Sequence, residues 1–82
     1  MYYVYILRSI KSPAQTYIGY TTNLDKRLID HNEGQGAKHT NKFKPWEIET
    51  YIAFSDRKLA LKFEKYLKIG SGKAFLNKRL IK

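Results

Sequence analysis

"YVYILRSIKSPAQTYIGYTTNLDKRLIDHN", residues 3–32, decides how this chain folds. From Tyr2 to Leu7 it is dense in aromatic and β-branched residues, the composition of a strand. "SIKSPAQ" follows with Ser, Lys, Pro and Gln, which is turn chemistry. Residues 16–20 form a second short β-type run, so residues 2–20 read as a hairpin with a long loop. Thr22 and Asn23 both suit a helix start, and Thr22 with Asp25 resembles a capping box with Asp in place of Glu. Leu24 and Leu28 then recur at helical spacing until Gly34 stops the run. Arg27 and His31, four apart, fall beside that leucine stripe, where a side chain can reach toward the sheet.

"GQGAKHTNKFKP" reads as a loop, with two glycines, a proline and three lysines. Residues 46–54 alternate apolar and polar side chains as a third strand. Ser55 and Asp56 mark a second helix, running to Ile69, whose Leu59, Ala60, Phe63, Tyr66 and Leu67 make one broad apolar face. "GSG" at residues 70–72 breaks it, and Ser71 is placed to cap a last helix through "KAFLNKRLI". The order β-β-α-β-α-α predicts an α/β (α+β) fold on a small, mostly antiparallel sheet, as one domain spanning residues 1–82.

A chain of 82 residues buries roughly 60–65% of its unfolded surface, enough for one thin core. Sixteen Lys and Arg against seven Asp and Glu leave a net charge of +9, which attracts polyanions, nucleic acid first among them. With no cysteine there is no disulfide framework, thiolate zinc site or cysteine nucleophile. The apolar run at the amino terminus is too short for a signal peptide or a membrane span, so the expected location is the cytoplasm, with no membrane partner.

Several polar residues are candidates for chemistry. Tyr17 stands mid-strand before Gly19, and a strand glycine often marks a close approach. Taken alone, Tyr17 and Tyr5 are ordinary sheet tyrosines in a chain that uses tyrosine freely. Arg27 can clamp a phosphate through two parallel hydrogen bonds, or pair with a surface carboxylate. His31 suits a hydrogen-bonding role as well as proton transfer. Glu64 falls among Ala60, Leu61 and Leu67 rather than among the lysines of its helix. A carboxylate so placed needs a cation or a metal, and Lys68 at i+4 is the simple answer. If a metal binds there, one Glu with waters and substrate phosphate is the pattern of magnesium.

Together these residues resemble the GIY-YIG nuclease superfamily, especially its small stand-alone bacterial members. The first signature is present as Tyr3-Val4-Tyr5, with Tyr3 where the name-giving motif has Gly, and the second as Tyr17-Ile18-Gly19. Arg27 matches the family's helix arginine, His31 its histidine one turn later, and Glu64 its metal-binding glutamate. Asn77 is a counterpart of an asparagine that many members use near the carboxyl end. Lys38 and His39 lie where some relatives place further polar residues.

The resemblance covers nearly the whole chain and implies a central three-stranded sheet flanked by helices. It implies metal-dependent hydrolysis of a nucleic-acid phosphodiester, DNA ahead of RNA, with one Mg2+ or Mn2+ on Glu64 and Tyr17 as the general base. An ordinary tyrosine, with a pKa near about 10, needs a local positive field to act so. Tyr5 would fix the water or phosphate, Arg27 would neutralise developing charge, and His31 would orient the tyrosines or carry the proton. Lys38, Lys68 and Lys73, among other lysines, would track the phosphates. A separate targeting protein or a homodimer would supply the targeting that relatives take from an attached domain. The rival reading is a basic nucleic-acid-binding module that keeps the fold without cleavage, and behind it a basic protein-interaction domain.

Overall fold

In the computed structural model, which describes residues 1–81, the aromatic-aliphatic run Tyr2–Ser9 (β1) is the middle strand of an antiparallel sheet. Thr16–Thr21 (β2) flanks it on one side and Trp46–Phe54 (β3) on the other. Val4, Tyr5, Ile6 and Leu7 are each at most 2% exposed, so β1 is covered on both faces. That explains why it reads as an unbroken apolar run rather than an alternating one. Val4 and Ile6 face a core with Ala60, Leu67 and Leu76, edged by Ile18, Tyr20 and Phe54. Tyr5 and Leu7 face a second core with Trp46, edged by Tyr17, Leu24, Leu28, Phe43 and Ile48.

Strand β3 serves both cores because its register shifts. Tyr2, Val4 and Ile6 pair with Phe54, Ile52 and Thr50, whereas Leu7 and Ser9 pair with Ile48 and Trp46. Glu49 is left over as a bulge, held by Arg8 Nε at 3.2 Å from its Oε1. Directly paired residues share a face, so the extra residue turns Trp46 and Ile48 to the side opposite Ile52 and Phe54.

Helix α1 is Leu24–Asn32, and its cap is Asn23, whose Oδ1 accepts the Lys26 N–H at 3.1 Å. The Thr22–Asp25 capping box does not form. Beyond the carboxyl end, Gly34 takes φ 82°, the left-handed stop the sequence implied. The stretch expected as loop holds a short helix α2, Lys38–Phe43. It starts where the Asn41 N–H and the Thr40 hydroxyl both return to the Ala37 carbonyl, and Phe43 anchors it in the second core. Helix α3, Arg57–Leu67, is capped by Asp56 and ends two residues before Ile69. Helix α4, Gly70–Phe75, begins at Gly70, so Ser71 lies within its first turn and is not the cap. The chain then widens into π-helical winding over Leu76–Leu80. The order is therefore β-β-α-α-β-α-α: the α+β sheet expected, with one more helix. Among the described residues no helix is long and apolar enough to cross a membrane.

Candidate active site

Tyr5 and Gly19 are direct cross-strand partners on β1 and β2. A methyl group on Gly19 would lie 2.3 Å from the Tyr5 hydroxyl oxygen. The strand glycine is thus the floor on which the Tyr5 phenol rests, and any other residue would push the ring away. Lying across that floor, Tyr5 reaches helix α1, where its Oη is 2.9 Å from His31 Nε2.

His31 is fully buried and bonded at both ring nitrogens. Its Nδ1 lies 2.7 Å from Thr40 Oγ1, which in turn is 2.8 Å from the Ala37 carbonyl. Burial, aided by the Arg27 charge, lowers the His31 pKa from 6.5 to about 4, so the ring is neutral at ordinary pH. Burial likewise pushes the Tyr5 phenol up to about 12, while Arg27 pulls the other way through hydrogen bonding and charge. Arg27 is itself steadied by Asp30, 3.8 Å from a guanidinium nitrogen, and Lys26 also binds that carboxylate at 3.0 Å.

Tyr17 joins this group through its ring, whose centroid is 5.0 Å from that of His31 and 6.4 Å from that of Tyr5. On its other side it stacks with His39 at 6.4 Å and 23° between planes, and His39 leans on Phe43 and Trp46. His39 is thereby brought to the site, whereas Lys38 is exposed on the first turn of α2 and does not line the cleft described next.

That cleft, about 270 Å³, opens where the edge strand β2 meets the last helices. Thr16, Tyr17 and Ile18 form one wall; Leu67, Lys68, Lys73, Leu76 and Asn77 form the other. Lys68 Nζ lies 2.9 Å from Glu64 Oε2, so the carboxylate already holds a cation at the cleft margin. Its negative charge is felt at the Tyr5 phenol, where it opposes ionisation. Tyr5, Tyr17, Arg27 and His31 come from β1, β2 and α1, and Glu64, Lys68, Lys73 and Asn77 from α3 onward. The β2 edge is where the two sets meet.

Among the described residues no three His, Cys, Asp or Glu side chains converge as metal ligands. The donor set is one partly buried carboxylate. That fits a hard ion taking most of its oxygens from water and phosphate, and not a cage built by protein alone. Thr40, Gly36 and Asp30 were not legible as site residues. A methyl group on Gly36 would lie 2.2 Å from His31 Nδ1, so this glycine, like Gly19, makes room for a site side chain. Its one sequence signal was the glycine pair around Gln35, which reads equally as loop.

A family model described as the GIY-YIG catalytic domain matches residues 1–79. The UPF0213 protein YsiG of Lactococcus lactis is 39% identical over 67 residues, 82% of this chain and 62% of that protein. The structure-specific endonuclease subunit SLX1 of Mycosarcoma maydis is 42% identical over 66 residues, 77% of this chain but 10% of its own length. The chain thus spans under two thirds of the first relative and a tenth of the second. Among solved structures, the solution NMR structure of the UPF0213 protein BH0048 from Bacillus halodurans aligns with a TM-score of 0.55 at 30% identity. That alignment covers 98% of this chain and 87% of that one.

Proposed function

Since this chain belongs to the GIY-YIG catalytic-domain family, we propose that it is a metal-dependent endonuclease that hydrolyses phosphodiester bonds of nucleic acid, DNA before RNA, in the cytoplasm. The observation that carries this reading is the cleft at the β2 edge, where Tyr17 faces Lys68, Lys73 and Asn77 beside the buried Tyr5–His31 pair and Arg27. Two lysines and an amide opposite a phenol suit a phosphate and an attacking water.

In this reading Tyr17, as the phenolate, takes a proton from water. The water oxygen bonds to phosphorus, the bond to the 3′ oxygen breaks, and that oxygen takes a proton from solvent. The products are a 5′-phosphate and a 3′-hydroxyl. Arg27 neutralises charge on the phosphoryl oxygens. Tyr5, 2% exposed with its hydroxyl turned to His31, serves by holding the His31 ring, against which Tyr17 packs, rather than by touching water. Glu64 is the residue to hold Mg2+ or Mn2+, on releasing Lys68 toward the phosphate. An ion held there would supply charge stabilisation to the reaction.

The test is incubation with single-stranded, nicked, branched and duplex substrates, with and without Mg2+ or Mn2+. Tyr17→Phe and Glu64→Gln are each expected to lower cleavage by at least about 100-fold while leaving binding within a few-fold. Cutting at the parental rate by both variants would remove the assignment. The Glu64–Lys68 pair favours one second reading, a module that binds nucleic acid without cleaving it. Salt-sensitive binding with no cleavage of any substrate by the parent is its signature.

A further inference from the structure

The hydrogen bonds around His31 have a direction, and one residue outside the expected site sets it. A carbonyl has no proton to give, so at 2.8 Å the Thr40 hydroxyl must donate to Ala37. Its oxygen is then an acceptor toward His31, which obliges Nδ1 to carry the ring proton. With a single proton on the ring, Nε2 is a lone pair, and Tyr5 must donate its hydroxyl hydrogen to it. No buried side-chain nitrogen or oxygen among the described residues is left without a partner, so the assignment strands nothing.

We infer that Thr40 is a positioning residue of the site: bonded to both Ala37 and His31, it locks the imidazole in its Nδ1–H tautomer and so holds Tyr5 as a hydrogen-bond donor to Nε2. The opposite tautomer would reverse the last link. Tyr5 would then accept from Nε2–H, and its own hydrogen would have to find another acceptor. Gly36 belongs to the same device, because any side chain there would collide with the Nδ1 that Thr40 must reach. The sequence gives no hint of this, since Thr40 lies in the segment read as loop.

The inference rests on the nuclease reading only for its kinetic consequence, and the two are tested separately. Long-range proton–nitrogen NMR of the His31 ring in the wild-type protein is expected to show a protonated Nδ1 and a bare Nε2 near pH 7. Thr40→Ser, which keeps the hydroxyl, preserves that pattern. Thr40→Val, close in shape but without the hydroxyl, shifts the ring toward Nε2–H. Tyr5→Phe is the control that assigns the cause: the lock comes from Thr40, so the Nδ1–H form persists.

A wild-type ring in the Nε2–H form overturns the inference, as does a Tyr5→Phe ring that changes tautomer. In cleavage assays Thr40→Val lowers kcat about 10- to 100-fold with KM little changed, and Thr40→Ser recovers to within a few-fold. An Nδ1–H ring in a protein that cuts nothing leaves the tautomer lock standing and removes the nuclease reading instead. Cleavage by Thr40→Val at the wild-type rate removes the catalytic role of the lock.

Discussion

His31 is fully buried at the site, and its burial has a pH signature. Its pKa falls from 6.5 to about 4 on folding. Protonation is therefore easier in the unfolded chain. The neutral ring's contribution to stability is whole above pH 6.5 and is lost as pH falls through that value toward 4. The shift corresponds to about 3 kcal/mol. Urea unfolding of the parent and of His31→Gln at pH 7 and at pH 4 measures it: the gap between the two proteins narrows by about that amount at the lower pH, and a constant gap would contradict the assignment. Of the residues around His31, those readable from sequence had telling types at telling intervals: two tyrosines before apolar neighbours, and an arginine and a histidine one turn apart. Gly19 announced a close approach but not that its visitor is Tyr5. Thr40 and Gly36 were silent, because their parts depend on how residues 36–40 fold back over α1.

Among the elements, β3 shows how a correct strand assignment can hide its most consequential feature. The alternation from Trp46 to Phe54 is regular and fixes the strand. It also implies that Trp46, Ile48, Ile52 and Phe54 share one face, which the bulge at Glu49 forbids. Nothing in the local composition marks the bulge, since its cause is the need to feed two cores from one strand. Deleting Glu49 would remove the bulge and restore the regular pleat with the pairs on either side intact, so Trp46, 2% exposed in the fold, would stay in the second core. The expected cost is only the lost Arg8–Glu49 pair, about 1 kcal/mol or less, with tryptophan emission unshifted. A red shift would mean that Trp46 had left the second core and that Glu49 is not the extra residue. The capping signals behaved more simply: Asn23 and Asp56 cap α1 and α3 as short polar side chains should. Helix α2 escaped notice because its six residues carry no apolar periodicity beyond Phe43 and owe their winding to Thr40, Asn41 and the tryptophan beyond. The Trp46 indole N–H donates to the Thr40 carbonyl at 2.7 Å.

At the scale of the whole molecule, a net charge of +9 on 82 residues predicts attraction to nucleic acid wherever the charges lie. The structure adds that Lys68 and Lys73 border the cleft. Lys73→Ala is expected to weaken binding of a labelled oligonucleotide across sequences. It should also reduce the slope of log affinity against log salt by about 1, whereas a lysine off the path leaves that slope unchanged. Fold class and charge were legible early, because they are sums over many residues that no single misreading upsets. The meeting of two groups of residues at the β2 edge was not, since it follows from the strand order β2-β1-β3. That order has a further consequence. The two tyrosines, Arg27 and His31 belong to the amino-terminal half of the polypeptide, and Glu64, Lys68, Lys73 and Asn77 belong to the other. On the nuclease reading, neither half carries the whole of the site. Competence comes into being only when the chain closes on itself around the rim of its sheet, so for this protein folding and the assembly of its chemistry are one event.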